Sequence, residues 1–274
     1  MDNNTFDDIH DSALDGWGFS FRRSQLYRFK KYLDMLIKNN IKGKILEIAC
    51  STGFFTNLMS NSIKNIEIRA VDISQIAIDK AKKKYPNIDF SVQKLPDVNF
   101  EGESFDCVTA IEVLSYLDNE GRMQSMANIR NILKDDGYAI ISVNIGEMPY
   151  FKLDEIRNLV SDKFEIIYED GLYIKTYYKY IETPIWLILD MFSSYKKIII
   201  KPTDGFLKRS SKNILNFTIK NKIVFYTIGF LIRKICIGAL YFMPIYIIDK
   251  VSKFISKNEQ DVYICLCKTR KREG

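Results

Sequence analysis

Strand-like and helix-like patterns alternate along residues 44–145. Helical spacing of the apolar residues predicts helices over 53–61, 74–84 and 119–133. Strands that alternate with helices at this spacing form parallel βαβ units. Ile and Val occupy both faces of the strands, as expected where helices cover a sheet on each side. The runs that predict the strands are KILEIA, IEIRAVDI, IDFSV, FDCVTAIEVL and GYAIISVNI.

Both flanks of this region add further elements. An apolar stripe over 24–39 predicts an amphipathic helix before the first strand. After the last βαβ unit, the pattern predicts a helix over 153–164 and a strand over 164–168, and a final strand over 262–268. Neighbouring strands of a sheet are normally joined by a handful of residues. The roughly 90 residues between these two strands therefore indicate an insertion.

The predicted fold class is α/β, with a doubly wound, mostly parallel seven-stranded sheet that is Rossmann-like. A helical, basic and apolar insertion precedes the last strand. We expect four parts: a cap segment and helix over 1–40, a cofactor-binding core over 41–170, the insertion over 171–261, and the last core strand with a basic tail over 262–274.

Composition places the chain among globular proteins, with 47% apolar and 27% charged residues. The five cysteines are scattered without a CxxC or Cys/His pairing, so we expect no metal site and a reducing, cytoplasmic location. The polar and acidic start, MDNNTFDDIHDSALDG, does not have the pattern of a secretion signal. The cysteines are Cys50, Cys107, Cys236, Cys265 and Cys267.

The first candidate for chemistry is the segment Glu47-Ile48-Ala49-Cys50-Ser51-Thr52-Gly53. An apolar strand ends there in small residues and turns into a helix, so backbone N–H groups can approach a ligand. Glycine-rich loops of this kind have three glycines, and here Ala49 and Ser51 replace two of them. A tight turn without a ligand remains an alternative for this segment alone.

Asp72 strengthens the cofactor interpretation. It ends the second strand about 25 residues after Glu47, where an acidic side chain can accept both ribose hydroxyls of an adenosine cofactor. The alternative is an N-cap for the helix that starts near Ser74. A nicotinamide cofactor needs GxGxxG, which is absent, whereas S-adenosylmethionine has no phosphate and tolerates a looser loop. Glu47 and the end of the fourth strand could accept its ammonium group.

The fourth strand ends at Glu112 and is followed by Tyr116. Ligands of open α/β sheets lie outside the carboxyl ends of the strands, so the methyl group and its acceptor should meet there. Glu112 is a candidate for both catalysis and cofactor binding. Tyr116 is a catalytic candidate that could place its ring or hydroxyl beside the sulfonium, with packing at a helix start as the alternative.

The order of these motifs resembles the nodulation protein S-like group of class I methyltransferases. The matching runs cover about half of the chain, roughly residues 15–145: DGWGFSFRRSQLYRFKKYLDML, LEIACSTGFFT, AVDIS, LPDVNFEGESFDCV and IEVLSYL. The resemblance implies S-adenosyl-L-methionine as cofactor. It implies binding by the 47–53 loop, by Asp72 with Ile73, and by Lys94 and Leu95 beside the adenine. Most class I methyltransferases have an acid near Lys94, so this position departs from the pattern.

The amino-terminal segment would cover the site in this family. Trp17 is a candidate lid or cofactor contact, with simple packing as the alternative. His10, the single histidine, is a candidate general base if a proton must leave, although a lone exposed histidine in a flexible tail is more often functionally silent. Methyl transfer is an in-line displacement, so orientation of donor and acceptor supplies most of the catalysis.

The insertion carries an unusual charge. Residues 184–274 contain 17 basic and 6 acidic residues, a net charge of +11, which leaves −5 for the rest of the chain. The apolar run 223–248 is interrupted by Arg233 and Lys234, which disfavours a spanning helix because each central cation costs roughly 2.5–3.5 kcal/mol. Two alternatives stay open: peripheral contact with an anionic inner membrane surface through 184–257, or a cap on the sheet.

The expected function is N- or O-methylation of a small-molecule, sugar or lipid-linked acceptor. An RNA-modifying enzyme that uses the basic insertion is an alternative, but nucleic acid is disfavoured because binding grooves rarely need such long Ile, Leu and Phe runs. A non-catalytic scaffold that keeps the cofactor fold is another alternative. The sequence does not determine an oligomeric state.

Overall fold

A computed structural model of the chain describes residues 3–11, 22–147, 149–173 and 260–270, together with isolated positions between 177 and 254. The chain divides into two compact units, one formed by Met1–Tyr173 with Lys253–Gly274 and the other by Ile174–Ser252. The first unit contains the sheet. Nearly all of the predicted insertion, including 184–230 and 236–248, lies outside the described residues. Its membrane or cap role therefore stays a prediction.

In the part of the chain that the structure describes, seven strands form one sheet with six helices around it. The helices are α1 (Asn3–Asp11), α2 (Arg23–Lys38), α3 (Phe54–Ser62), α4 (Gln75–Lys84), α5 (Asn119–Ile132) and α6 (Leu153–Ser161). The strands are β1 (Gly43–Ile48), β2 (Ile66–Asp72), β3 (Asp89–Val92), β4 (Phe105–Ile111), β5 (Leu133–Asn144), β6 (Phe164–Leu172) and β7 (Val262–Thr269), and a short 3₁₀ helix spans Leu114–Tyr116.

The strand order is β3-β2-β1-β4-β5-β7-β6. The first five strands are parallel, and β7 runs antiparallel to both β5 and β6. The predicted doubly wound, mostly parallel sheet of seven strands is confirmed. The strand order reverses its direction at β1, between β2 and β4, and this switch point is where ligands bind in such sheets.

The largest differences between the observed and the predicted bounds are at β5 and β6. β5 starts at Leu133, which pairs with Phe105 before a bulge, rather than at Gly137. β6 continues to Leu172 because Gly171 and Leu172 pair with Tyr263 and Val262 of β7. Two residues that the sequence assigns to the insertion therefore belong to the sheet.

Helix α1 is the element that the sequence pattern did not predict. Its contacts explain its position, because Asp7 accepts hydrogen bonds from the Ser74 hydroxyl and from the Ile76 backbone N–H at 3.3 Å. Lys80 donates to the backbone carbonyl of His10. A carboxylate at the first turn of α4 is favourable because of the helix dipole. Both contacts tie α1 to α4.

The core lies between the sheet and its helices on both faces. On one face, α5 and α6 bury Met126, Ile129, Ile156 and Val160 against β4, β5 and β7. Near α2 and α3, the rings of Phe29 and Phe55 stack with centroids 5.0 Å apart. Tyr32 is fully buried, and its hydroxyl is 2.8 Å from the Ser142 hydroxyl on β5. This packing fixes α2 beside the carboxyl end of β5.

Among the described residues, no helix has the length and apolarity needed to cross a bilayer.

Candidate active site

The turn after β1 has the backbone of a glycine-rich loop without most of its glycines. Ala49 has φ +63°, Ser51 has φ +52° and Gly53 has φ +75°. The left-handed conformation costs a residue with a Cβ roughly 1–2 kcal/mol. Ala49 and Ser51 therefore adopt the conformation of the glycines that they replace, and they keep only small side chains beside a ligand.

Position 53 requires a glycine for a second reason. A Cβ at this position would lie 2.6 Å from Cζ of Phe90 on β3. Glycine therefore lets the start of α3 pack closely against the sheet, which is the role of the third glycine in dinucleotide-binding loops.

Glu47, near the end of β1, and Cys50, in the turn, are both buried. The side chain of Glu47 is 4% exposed, and Thr56 Oγ1 donates a 2.6 Å hydrogen bond to its Oε2. Burial raises the pKa of Glu47 to about 8, with Asp72 adding to the rise and the Thr56 bond opposing it. Burial also raises the pKa of the Cys50 thiol, so this thiol stays protonated.

Asp72 joins the turn to the end of β2. Its Oδ2 accepts the Ser51 backbone N–H at 2.8 Å, and its Oδ1 accepts the Ser74 backbone N–H at 2.9 Å. Burial raises the pKa of Asp72, and these N–H groups and His10 oppose that rise. The N-cap of α4 is Ser74, whose hydroxyl accepts from the Ala77 N–H at 3.1 Å, and not Asp72.

Glu112 follows β4 with φ +55°. Its backbone N–H donates to the Ser142 carbonyl at 2.7 Å. Its carboxylate accepts a 2.5 Å bond from Arg28 Nη1 and a 3.4 Å bond from Asn144. Burial would lower the pKa of Arg28, but Glu112, Tyr32 and Asp261 together outweigh that effect and the pKa is raised. Glu112 is therefore held by an ion pair with α2.

A cavity opens at the carboxyl ends of β1, β2 and β4. It receives side chains from α1, from α2, from the three strand ends and from the segment after β3. Its walls are formed by Phe6, His10, Gln25, Ile48, Ala49, Ser51, Asp72, Ile73, Gln93, Lys94, Leu95, Ile111, Glu112, Val113, Tyr116 and Leu117.

The amino-terminal helix and the segment after β4 meet at this cavity. The rings of Phe6 and Tyr116 form an edge-to-face pair with centroids 5.2 Å apart and an interplanar angle of 84°. His10, which a flexible tail would expose, is only 2% exposed. Tyr116 is 40% exposed, and burial of the rest of the ring raises the pKa of its hydroxyl, as do Glu112 and Tyr150.

The structure brings most of the sequence-predicted site residues to this cavity: His10, Ala49, Ser51, Asp72, Ile73, Lys94, Leu95, Glu112 and Tyr116. Glu47, Cys50 and Gly53 belong to the end of β1 and its turn but are not among the residues that line the cavity. Trp17 lies outside the described residues. Sequence reasoning missed Phe6, Gln25 and Arg28. Gln25 and Arg28 are three residues apart and so share a face of α2, which is the signal that could have found them.

Among the described residues, no group of three or more His, Cys, Asp or Glu side chains is arranged to hold a metal ion.

Known proteins resemble this chain over its first half. A methyltransferase domain matches residues 45–137. Putative methyltransferase 235L of Invertebrate iridescent virus 6 is 29% identical over 131 residues, which are 48% of this chain and 47% of the relative. Nodulation protein S of Azorhizobium caulinodans is 26% identical over 131 residues, 47% of this chain and 62% of the relative.

Other relatives are named for a carrier-bound substrate. Malonyl-[acyl-carrier protein] O-methyltransferase of Halalkalibacterium halodurans is 28% identical over 131 residues, which are 46% of this chain and 47% of the relative. The chain thus spans about half the length of these curated relatives.

Solved structures share the fold. The N-methyltransferase NodS from Bradyrhizobium japonicum, in complex with S-adenosyl-L-homocysteine, has a TM-score of 0.54 at 18% identity and covers 62% of this chain and 90% of its own. The [4+2]-cyclase SpnF has a TM-score of 0.53 at 12% identity, with 87% of this chain and 80% of its own covered.

Residues 45–137 match a methyltransferase domain, and this chain has the fold of the class I S-adenosylmethionine-dependent methyltransferases. Within that class it is similar to nodulation protein S.

Proposed function

We propose that this chain transfers the methyl group of S-adenosyl-L-methionine to nitrogen or oxygen of a small-molecule, sugar or lipid-linked acceptor. The observation that supports it most directly is the cavity at the carboxyl ends of β1, β2 and β4, where the small-residue turn, Asp72 and Glu112 meet. When bound, the cofactor supplies an electrophilic methyl group on a sulfonium.

The residues at one end of the cavity suit an adenosine group. Each oxygen of the Asp72 carboxylate accepts one backbone N–H and keeps a second lone pair for a ribose hydroxyl. Ile73 and Leu95 provide apolar contact for the adenine. Lys94 stands where relatives have an acid, so the backbone of Leu95 would make the polar contact there.

Glu112 and Arg28 suit the amino-acid end of the cofactor. An ammonium group needs an acceptor and a carboxylate needs a donor, and this ion pair offers both charges at 2.5 Å from each other. Because Arg28 holds Glu112, we expect Glu112 to position groups rather than to remove a proton. His10 stays the proposed base for an acceptor that must lose one.

Calorimetry with S-adenosylmethionine tests this proposal. We expect Asp72→Ala to weaken binding at least about tenfold, the equivalent of roughly 1.4 kcal/mol, because both ribose contacts are lost. Asp79→Asn is the matched control, since Asp79 lies on α4 and bonds only locally, to Gln75. Circular dichroism would check that both variants fold. Unchanged affinity in Asp72→Ala would refute the assignment of this cavity to the cofactor.

Two other functions are distinguished by further measurements. SpnF shares this fold and is named a [4+2]-cyclase, so the fold alone does not imply methyl transfer. Methyl transfer from labelled cofactor must therefore be measured in addition to cofactor binding. RNA binding by the basic segment would be lost between about 50 and 200 mM salt. Flotation of the full chain with anionic vesicles tests membrane contact through 184–257, and recovery of the chain in the soluble fraction alone would end that hypothesis.

A further inference from the structure

The two ends of the cavity differ in chemistry. One end is formed by the turn after β1, Asp72 and Leu95, and it belongs to the cofactor under the proposed function. The other end is formed by Phe6 from α1 and by the segment 111–117 after β4. Ile111, Val113 and Leu117 make that end largely apolar. An acceptor bound there meets mostly hydrocarbon and aromatic surface.

The polar groups at the acceptor end are few among the described residues. Glu112 accepts hydrogen bonds from Arg28 at 2.5 Å and from Asn144 at 3.4 Å, and under the proposed function its remaining lone pairs accept the cofactor's ammonium group. Gln25, His10 and the Tyr116 hydroxyl complete the polar set. A monosaccharide buries several hydroxyls, and each one left unpaired costs about 1–3 kcal/mol. This end therefore suits an acceptor with one or two polar atoms.

The aromatic pair favours a ring over a saturated chain. Phe6 and Tyr116 pack edge to face, and 40% of Tyr116 is still exposed. An aromatic ligand can make the same edge-to-face contact, which is worth about 0.5–1.5 kcal/mol beyond its buried area. An acyl chain gains only the free energy of burying its apolar surface.

We propose that the acceptor is an aromatic small molecule with a single hydroxyl or amino nucleophile, bound against Tyr116 and Phe6. This rests on the proposed function, because the ring must lie beside the sulfonium methyl group. The nucleophile forms a bond to the methyl carbon as the sulfur–carbon bond breaks. The acceptor's proton leaves to solvent or to a base, and S-adenosylhomocysteine is the other product.

Binding to the full chain saturated with S-adenosylhomocysteine tests the acceptor class without relying on turnover. Three probes separate the alternatives: 2-naphthol as a ring, octanoate as an acyl chain and glucosamine as a sugar. We expect 2-naphthol to bind about twofold to tenfold more tightly than either of the others. Tyr116→Ala should weaken 2-naphthol binding about fivefold to tenfold. The control is Tyr168→Ala, because Tyr168 lies on β6 and is 50% exposed. This variant should bind 2-naphthol as tightly as the unaltered chain does.

The outcomes distinguish the two proposals. Tighter binding of octanoate or glucosamine than of 2-naphthol would overturn the aromatic acceptor, and so would equal affinity of Tyr116→Ala and the unaltered chain for 2-naphthol. If the unaltered chain fails to bind S-adenosylhomocysteine, the proposed function itself fails and the acceptor proposal falls with it.

Discussion

Ionisation of Glu47 should make the protein lose stability as pH rises. Burial holds the pKa of Glu47 at about 8 in the folded protein, against 4.5 for an unperturbed glutamate. Between these two values the folded protein keeps a proton that the unfolded chain has released, so the free energy of unfolding falls with pH. At 1.36 kcal/mol for each pKa unit, the whole loss is about 5 kcal/mol. It is complete only above pH 8.

Glu47→Gln isolates this effect. The amide oxygen still accepts the Thr56 hydrogen bond, but the side chain cannot ionise. Urea unfolding of both proteins from pH 5 to pH 9 should show the unaltered chain losing about 4 kcal/mol relative to the variant, because part of the loss already occurs below pH 5. Glu67→Gln is the control, because Glu67 is 58% exposed and should follow the unaltered chain. A difference between Glu47→Gln and the unaltered chain that stays constant with pH would refute a buried, protonated Glu47.

Two further changes test the turn and the ion pair. Gly53→Ala should lower the free energy of unfolding by about 2–5 kcal/mol, because of the left-handed backbone and the contact with Phe90. Gly102 has φ +72° with nothing within 4 Å, so Gly102→Ala should lose only the backbone contribution. Equal melting temperatures of the two variants would contradict the packing argument. Arg28→Met should cost less than the roughly 3–5 kcal/mol of breaking a fully buried pair, because the Arg28 and Glu112 side chains are 14% and 23% exposed. Adding Glu112→Gln should recover much of this loss in urea unfolding, and additive losses would show that the pair is not coupled.

The sequence was sufficient for the sheet because its signals are local. Apolar runs with helices between them fix parallel βαβ units, and the bounds of α2, α4 and α5 agree with the predicted ones to within one residue. Helix α1 was missed because its stability comes from docking rather than from its own composition. The sequence NNTFDDIHD is polar, and its anchors Ser74 and Lys80 are about 70 residues away.

The site was predictable where motifs mark strand ends and unpredictable where two distant elements meet. Asp72 and Glu112 follow directly from the strand pattern. The pairing of Glu112 with Arg28 joins residues 84 positions apart and depends on how α2 packs, which no local pattern encodes. The same limit applies to the pKa of Glu47, because a raised pKa requires burial and burial is a property of the assembled fold.

The position of β7 has a consequence for biosynthesis. This strand lies between β5 and β6, yet about 90 residues separate it from β6 in the chain. At roughly 5–20 residues per second, the ribosome needs about 5 to 18 seconds to make that stretch. During this interval β5 and β6 have been synthesised without the strand that joins them, and two unpaired sheet edges are open to other nascent chains. We therefore expect the growing polypeptide to need chaperone protection until its last strand emerges.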